Sequence, residues 1–412
     1  MSEETANVDK NPMTGLSPDR ILHRAPGLKL HLRSDNYVRV SLDEETVTCG
    51  PHALAILDVF YQPTSFSEAL RKLSRSSSGV QDWAALTSTI GQLYRAGVLQ
   101  DETGRRAEAG YGFGSPSGHV AMLNDRIRIS SFLAGINEVV TPEDVVVDIG
   151  TGTGVLALAA ARAGAKHVYA IEASDIGESA QAIFEANGLA DRITLMRGWS
   201  TRIALPEHAD VLVSEIIGND PLGEEVLQVT MDARKRLLGP EARFIPNKVR
   251  VLMLPVAIPR DERMKRLVTE ENLRNWYSWY GIEFDPLIQV KRNPFSGFYI
   301  KPQRAHGWKT LGEPILLADV DLSAFHYPIS LDHTTTFVAH ATGKLDGLLM
   351  YFELRLGPTT RLSTHPAQAD IDNHWSTPVW VLDNPLALKF GDRIQVTCKY
   401  RPGDYRIAVT RA

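Results

Sequence analysis

Length, composition and charge exclude several classes of function. The 412 residues suffice for two or three domains with separate cores, and 43% hydrophobic with 23% charged residues is ordinary for a globular protein. The formal net charge of −5 argues against a nucleic-acid partner, since binding to phosphates relies on concentrated lysine and arginine. No run approaches the roughly 18–20 uncharged apolar residues of a membrane span, so we expect no membrane partner.

The start of the chain and its two cysteines indicate the compartment. Residues 1–27 are polar and lack the apolar core of a signal peptide, so we predict a flexible leader here. Cys49 and Cys398 lie far apart in the sequence and have no metal-ligand spacing. We therefore expect a reduced, cytoplasmic protein without a metal site.

Residues 28–103 carry the pattern of a small α+β domain. Alternating segments at its start predict strands, and apolar residues at helical spacing follow over 51–60. Ser65 and Glu68 form a capping-box pattern that opens a second helix, a third helix follows, and a short strand begins at Val98. Strands followed by three helices and a strand predict a winged-helix domain.

The rest of the chain changes from alternating strand and helix patterns to strands alone. Residues 104–140 begin with a Gly-, Ser- and Arg-rich linker and continue as an amphipathic lid helix from about His119 to Ile136. The alternation over 141–252 predicts an α/β, Rossmann-like domain with a parallel sheet. Residues 253–412 contain short strand patterns with many Pro, Gly and Asp breaks, typical of an antiparallel β-barrel or sandwich with a helical insertion near its start.

The segment VVVDIGTGTG predicts a cofactor site. An apolar strand delivers an acid and then a tight turn of three glycines, whose small size lets the backbone approach a ligand at the sheet edge. The spacing is GxGxG, not the GxGxxG of dinucleotide binders, and the next strand ends in an acid that can accept both ribose hydroxyls. This register favours S-adenosylmethionine over a nicotinamide cofactor, and structural turn glycines alone would not explain the two acids. The predicted cofactor-binding residues are Asp148, Gly150, Gly152, Gly154 and Glu172.

At this point the sequence resembles the protein arginine methyltransferases. Residues 147–173 are most similar to the monomethylating, type III branch, and further landmarks follow in order over roughly 110–400. The resemblance implies a class I, S-adenosylmethionine-dependent methyltransferase with a Rossmann-like domain and an antiparallel β-barrel. It also implies a dimerisation arm near 260–298 and therefore a homodimer.

The resemblance assigns roles to residues outside the glycine turn. Arg128 of the lid helix would grip the methionyl carboxylate of the donor, and Met122 would flank the pocket. His374, in an Asn-His-Trp loop, would pair with Asp125 and orient the site or relay a proton. The other assigned residues are Trp375 and Phe113 (a tyrosine in the family) at the substrate pocket, and Ser200 and Thr201 where the family has an acid near adenine. A structural role is the alternative for the histidine, the methionine and the tryptophan.

Glu215 and Glu224 are similar to the double-glutamate loop of the family. A guanidinium is a poor nucleophile because it stays protonated and delocalised, with a pKa above about 12. Two carboxylates that hold one guanidinium would localise its charge away from the attacking nitrogen. An exposed acidic loop without a catalytic role is the alternative interpretation.

The N-terminal domain resembles a different family, the PqqD-like peptide-recognition domains of ribosomal peptide biosynthesis. Such domains bind a leader peptide as an added strand beside a helix. A DNA-reading winged helix is disfavoured because the third helix holds a single terminal arginine, Arg95, and a packing module is the plain alternative.

Three functions remain open from the sequence. The first is an arginine N-methyltransferase acting on a peptide or protein, such as the precursor of a ribosomally synthesised natural product bound through its leader. The second keeps the methyl donor but methylates a carboxylate or another side chain. The third is a non-catalytic, peptide-binding adaptor.

Overall fold

The computed structural model describes residues 19–32, 37–42, 45–50, 52–74, 80–101, 116–222, 226–289, 297–327, 329–401 and 404–412. The chain divides into two compact units, Met1–Ser115 and Pro116–Ala412, and each has a core of its own. Within the described ranges, no helix is long and apolar enough to cross a membrane.

The described residues of the first unit form two small antiparallel sheets and three helices around an apolar core. One sheet has the strand order β2-β3-β4 and the other the order β5-β1-β6. The elements are β1 (Ile21–Arg24), β2 (Lys29–Leu32), β3 (Val38–Leu42), β4 (Glu45–Cys49), α1 (Ala53–Val59), β5 (Thr64–Ser65), α2 (Phe66–Leu73), α3 (Val80–Arg95) and β6 (Leu99–Asp101). Ser65 caps α2 as predicted, since its Oγ accepts a hydrogen bond from the Glu68 amide at 3.3 Å.

The N-terminal boundary of this unit differs from the prediction. β1 pairs with both β5 and β6, and Leu22 is completely buried in the core. The ordered unit therefore begins before residue 28, because a strand inside the predicted leader completes its second sheet. The predicted linker from 104 to 115 lies outside the described residues.

The second unit begins with a Rossmann-like α/β part. The five described strands are all parallel, in the order β11-β10-β7-β8-β9, and helices connect them. The elements are α4 (Pro116–Asn124), α5 (Arg126–Val139), β7 (Val145–Ile149), α6 (Val155–Arg162), β8 (His167–Glu172), α7 (Ile176–Ala186), β9 (Ile193–Arg197), β10 (Ala209–Ser214), α8 (Val226–Arg236) and β11 (Leu238–Ile245). Every residue of β7 is buried, as expected for a central parallel strand.

The predicted single lid helix is two helices. α4 ends at Asn124, and the Asp125 side chain caps α5 by accepting a hydrogen bond from the Arg128 amide at 3.0 Å. An aspartate at this position competes with continued helix and favours a new N-terminus, although the apolar spacing runs on through it.

Antiparallel sheets form the rest of the unit. One has the order β13-β19-β17-β12-β14, with β15 paired to β12 and β18 to β17, and the other has the order β16-β20-β21. The elements are β12 (Lys248–Ala257), α9 (Arg260–Arg266), α10 (Glu270–Tyr280), α11 (Pro286–Gln289), β13 (Gly297–Ile300), α12 (Pro302–Ala305), β14 (Lys309–Thr310), β15 (Ile315–Asp321), β16 (Leu331–Val338), β17 (Gly343–Arg355), β18 (Arg361–Ser363), β19 (Thr377–Leu388), β20 (Arg393–Arg401) and β21 (Asp404–Arg411). β12 pairs with β15 and β17 from Lys248 onward, so this part begins before the predicted residue 253.

α5 joins the two parts of the second unit. Gly135 packs so closely on the barrel that an added Cβ would lie 2.7 Å from the Leu356 Cβ. Near the end of the helix, the Glu138 carboxylate accepts hydrogen bonds from the amides and hydroxyls of Thr359 and Thr360. These contacts fix the helix that carries Asp125 and Arg128 against the barrel.

Candidate active site

The glycine turn after β7 brings backbone close to three neighbouring side chains. Gly150, Gly152 and Gly154 all have positive φ angles, of 77°, 56° and 84°. A Cβ on Gly154 would lie 2.2 Å from Phe184 Cε1, and one on Gly152 would lie 2.7 Å from His119 Cε1. Both conformation and space therefore require glycine here, and the turn forms a shallow cradle of main chain.

Asp148 lies fully buried at the end of β7, beneath this turn. Its Oδ2 accepts a hydrogen bond from the Thr151 hydroxyl at 2.5 Å, and its Oδ1 has no partner among the described residues. Burial raises the pKa of Asp148 to about 7, the charge of Glu172 adds to this effect, and the Thr151 hydrogen bond opposes it. The charge of this carboxyl therefore depends on what binds beside it.

Glu172, at the end of β8, is held in place by two residues. Its Oε2 accepts from the Gly152 amide at 2.8 Å, and its Oε1 accepts from the Ser174 amide at 2.7 Å and hydroxyl at 2.6 Å. A carboxylate has about four acceptor sites and three are filled here, so one site remains for a ribose hydroxyl, and a second hydroxyl would replace one of these contacts.

A buried ion pair joins the lid helix to the loop after β10. Arg128 Nη2 contacts Glu215 Oε2, and the two side chains are only 8% and 4% exposed. Burial lowers the pKa of Arg128 to about 10 and the charge of Asp125 raises it, so the guanidinium stays charged at neutral pH. Arg128 Nε and Glu215 Oε1 are buried without a hydrogen-bond partner among the described residues. The pair thus keeps one buried donor and one buried acceptor for a ligand.

His374 lies against the cap of α5, in the pairing that the resemblance implied. Its Nδ1 and its amide nitrogen each lie 3.0 Å from Asp125 Oδ2. Burial raises the pKa of Asp125, but the hydrogen bonds from His374 and Arg128 outweigh it and lower the pKa, so the carboxylate only accepts. Burial and the charges of Arg128 and Lys301 lower the pKa of His374 against the opposing effect of Asp125. The neutral ring therefore carries its proton on Nδ1 and leaves Nε2 as an acceptor.

The loop around His374 also contacts the loop after β10. Trp375 is 2% exposed, and its Nε1 donates to the Ile217 carbonyl at 2.8 Å. The Ser376 amide donates to Asn219 Oδ1 at 2.6 Å. Trp375 therefore packs the barrel against the α/β part, as the structural alternative for this residue expected.

The other predicted residues are placed less centrally. Met122 is half-buried, and its carbonyl accepts from Arg128 Nη1 at 3.2 Å. Ser200 is buried in a 3-10 turn, and Thr201 beside it is exposed. Phe113 and Glu224 lie outside the described residues, so their predicted roles stay predictions.

Five contributors were missed by the sequence reasoning. Ser174 lies two residues after Glu172, and a carboxylate commonly accepts hydrogen bonds from a residue at this distance. The sequence alone could therefore have indicated Ser174. The others depend on long-range packing or on a single contact that no pattern indicates. They are His119, Thr151, Asn219 and Lys301.

Two protein-family profiles match the second unit. The profile described as "Ribosomal protein L11 methyltransferase" matches residues 130–245. The profile described as "Arginine methyltransferase oligomerization subdomain" matches residues 264–408. The first match covers most of the α/β part and the second covers most of the barrel.

Sequence relatives decide the family. The chain is 30% identical over 303 residues to "Protein arginine N-methyltransferase 1" of Schizosaccharomyces pombe, which is 70% of this chain and 83% of that protein. The chain belongs to the protein arginine N-methyltransferase family. This membership confirms the predicted enzyme class, a methyltransferase, and its cofactor, S-adenosylmethionine.

Other relatives share less of their length. A "Probable histone-arginine methyltransferase CARM1" of Oryza sativa subsp. indica is 30% identical over 281 residues, 66% of this chain and 52% of that protein. The chain thus spans about half the length of this rice relative.

Solved structures with lower identity share the fold. A Trypanosoma brucei PRMT1 enzyme–prozyme heterotetrameric complex with AdoHcy covers 73% of this chain and 95% of its own, with a TM-score of 0.64 at 23% identity. Arabidopsis thaliana protein arginine methyltransferase 10 covers 72% and 98%, with a TM-score of 0.58 at 20% identity. The predicted combination of a Rossmann-like domain and a β-barrel-type domain is confirmed.

Proposed function

We propose that this protein transfers the methyl group of S-adenosylmethionine to a guanidino nitrogen of arginine in a peptide or protein. The observation that carries this proposal is Glu215, a buried carboxylate whose Oε1 has no partner within the described ranges. It follows β10 directly, at the carboxyl edge of the sheet and near the glycine turn. A buried acceptor of this kind suits a cationic side chain better than a carboxylate, which it would repel.

The residues around the turn fit the donor. The glycine cradle leaves room for close approach, Glu172 would hold the ribose hydroxyls, and the Arg128 fork would hold the methionyl carboxylate. Asp148 lies beneath the same turn with one buried oxygen without a described partner. S-adenosylmethionine would supply, when bound, an electrophilic methyl carbon on a sulfonium, with the neutral thioether as its leaving group.

The protein then has to position and activate the acceptor. Glu215, with Glu224 at the family spacing, would draw the guanidinium charge toward the carboxylates and away from the attacking nitrogen. The Asp125–His374 pair holds a neutral imidazole whose Nε2 can accept a proton. Asp125 caps α5 and Glu215 directly follows β10, so each is anchored to a regular element, which favours the fixed geometry of an in-line displacement.

Mass spectrometry tests this proposal directly. The purified protein is incubated with isotope-labelled donor and arginine-containing peptides, and fragmentation spectra locate the label. We expect the methyl group on arginine. A label on a carboxylate or another side chain would contradict the acceptor assignment, and donor binding without any transfer would favour the adaptor alternative.

We further propose that the first unit is a PqqD-like winged-helix domain that binds the leader of a peptide substrate. The supporting features are β4, which lies at the edge of its sheet, and α3, which contacts it. An edge strand beside a helix can accept an extended peptide as an added strand. This would place the enzyme in the biosynthesis of a ribosomally made natural product.

The barrel insertion supports a homodimer. Tyr277, Trp279, Tyr280 and Ile282, on and just after α10, are all more than half exposed. The oligomerization profile also spans this arm. An apolar aromatic surface of this kind favours a second copy of the chain as its partner.

Monomethylarginine as the product stays a proposal from the type III resemblance. A cytoplasmic location is also a proposal, and it is supported by two free, buried cysteines.

A further inference from the structure

Lys301 lies between β13 and α12, and its ammonium meets the loop that carries His374. Nζ donates to the carbonyls of Asn373 at 3.3 Å, of His374, and of Trp375 at 3.4 Å. An ammonium has three donors and no acceptor, so it matches three carbonyls that converge from one side. Lys301 is half-buried, and burial lowers its pKa while the charge of Asp125 raises it.

The carbonyls of 373–375 have no regular secondary structure to satisfy them. These residues belong to neither a helix nor a strand. Three consecutive carbonyl dipoles that point at one position repel each other unless a cation lies there. A second side chain from the same segment, Gln303, donates to the Ile371 carbonyl at 2.9 Å.

The same loop makes the contacts that arrange the candidate site. His374 contacts Asp125, and Trp375 and Ser376 contact the loop after Glu215. A shift of this loop by about 1 Å would therefore misplace His374 and the acceptor carboxylate together, although neither touches Lys301 through its side chain.

We propose that Lys301 is a positioning residue for methyl transfer, which sets the conformation of residues 373–375 by binding their three carbonyls. The proposal rests on the proposed function, since the loop matters only if this site methylates a substrate. It predicts a larger loss in kcat than in donor affinity, because, among the described residues, the loop meets the donor-binding residues only at the cap of α5 and beside Arg128 and does not contact the glycine turn or β8 through Lys301.

The test compares Lys301→Met with Lys301→Arg and with a matched control, Lys309→Met. Lys309 Nζ also donates to a backbone carbonyl, that of Thr342 at 2.7 Å, but in an exposed turn of the barrel. We expect Lys301→Met to lower kcat at least about 10-fold, with the donor Kd within threefold and the melting temperature within a few degrees. Lys301→Arg should recover part of the loss, and Lys309→Met should match the unchanged protein.

Hydrogen exchange over 371–376 gives a readout that does not depend on methylation. Lys301→Met should speed exchange there, and Lys309→Met should not. If the unchanged protein methylates no arginine, the proposed function fails while exchange still tests the loop contact. A Lys301→Met protein with unchanged kcat and exchange would overturn the positioning role. If Lys301→Met does not fold, Lys301→Gln replaces it, since the amide keeps one donating group. An unchanged kcat and unchanged exchange in Lys301→Gln would likewise overturn the positioning role.

Discussion

The two units bury different kinds of polar side chain. Where side chains are described in the first unit, the buried polar residues are Thr64, Thr89 and Gln100, and none of them is charged. The second unit buries Asp125, Arg128, Asp148 and Glu172 around one turn and one helix end. Burying a charge costs free energy unless partners compensate it, so such clusters are typical of sites that bind or react.

The first unit also exposes apolar side chains, on one of its small sheets. Leu30 and Leu32 of the edge strand β2 are 45% and 66% exposed. Apart from Thr64, Thr89 and Gln100, the buried side chains described in this unit are apolar, as in a module that folds around ordinary packing. The difference fits the proposal that chemistry and recognition reside in separate units, and it makes each unit testable by itself.

The largest expected effect comes from removing the acceptor charge. Glu215→Gln preserves shape but removes the charge that would hold a guanidinium, so kcat should fall at least about 100-fold, and Glu224→Gln should do the same. Steady-state kinetics measure this, and Glu225→Gln, a change at the adjacent acid, is the control. Equal losses in all three variants would contradict a specific role for the pair.

A change in the donor site should weaken binding of S-adenosylmethionine, whereas the changes at Glu215 and Glu224 lower kcat. Glu172→Ala removes hydrogen bonds to the ribose, which corresponds to about 1.5–3 kcal/mol of donor affinity. Titration calorimetry with S-adenosylmethionine or its demethylated product measures it. Unchanged binding by a folded variant would defeat the assignment of this acid.

Removal of the first unit should weaken the affinity for a peptide substrate and leave donor binding unchanged. Deleting residues 1–103 should raise the apparent KM for a full-length peptide substrate on the order of 10-fold, because a tethered second site raises the effective concentration of the acceptor. Donor binding should persist, and a short peptide without a leader should show no difference between the two forms. Full efficiency of the shortened enzyme on the long substrate would remove the recognition role.

The sequence was sufficient where a feature is local. The glycine turn, the acids that end β7 and β8, and the cap at Ser65 all follow from short patterns with fixed geometry. The break at Asp125 was missed although a capping aspartate is a local signal, because the apolar spacing continues on both sides of it.

Long-range contacts were beyond sequence reasoning. Lys301 is 72 residues from Asn373, and Asn219 is 157 residues from Ser376. No periodicity connects such pairs, since only the folded sheet order brings β13 beside β19. Pairings such as Asp125 with His374 came only through the resemblance to a family.

The last expected effect concerns the pH dependence of stability and one buried carboxyl. The folded pKa of Asp148 is raised to about 7, so its contribution to stability is fully present below its ordinary pKa of about 3.9. That contribution is lost as the pH rises through about 7, at no more than about 1.4 kcal/mol per pH unit. Asp148→Asn keeps an acceptor for Thr151 but cannot ionise. Without donor, the variant should therefore gain stability relative to the unchanged protein between pH 4 and 7.

Urea-unfolding midpoints across this pH range measure the gain. Glu241→Gln, a change at an exposed acid, should keep a constant difference from the unchanged protein. A constant difference for Asp148→Asn as well would mean that the carboxyl under the glycine turn does not titrate in this window. The titrating part of the contrast between the two units would then be absent, and the buried charge of the site would reside in Glu172 and in the Arg128–Glu215 and Asp125–His374 pairs.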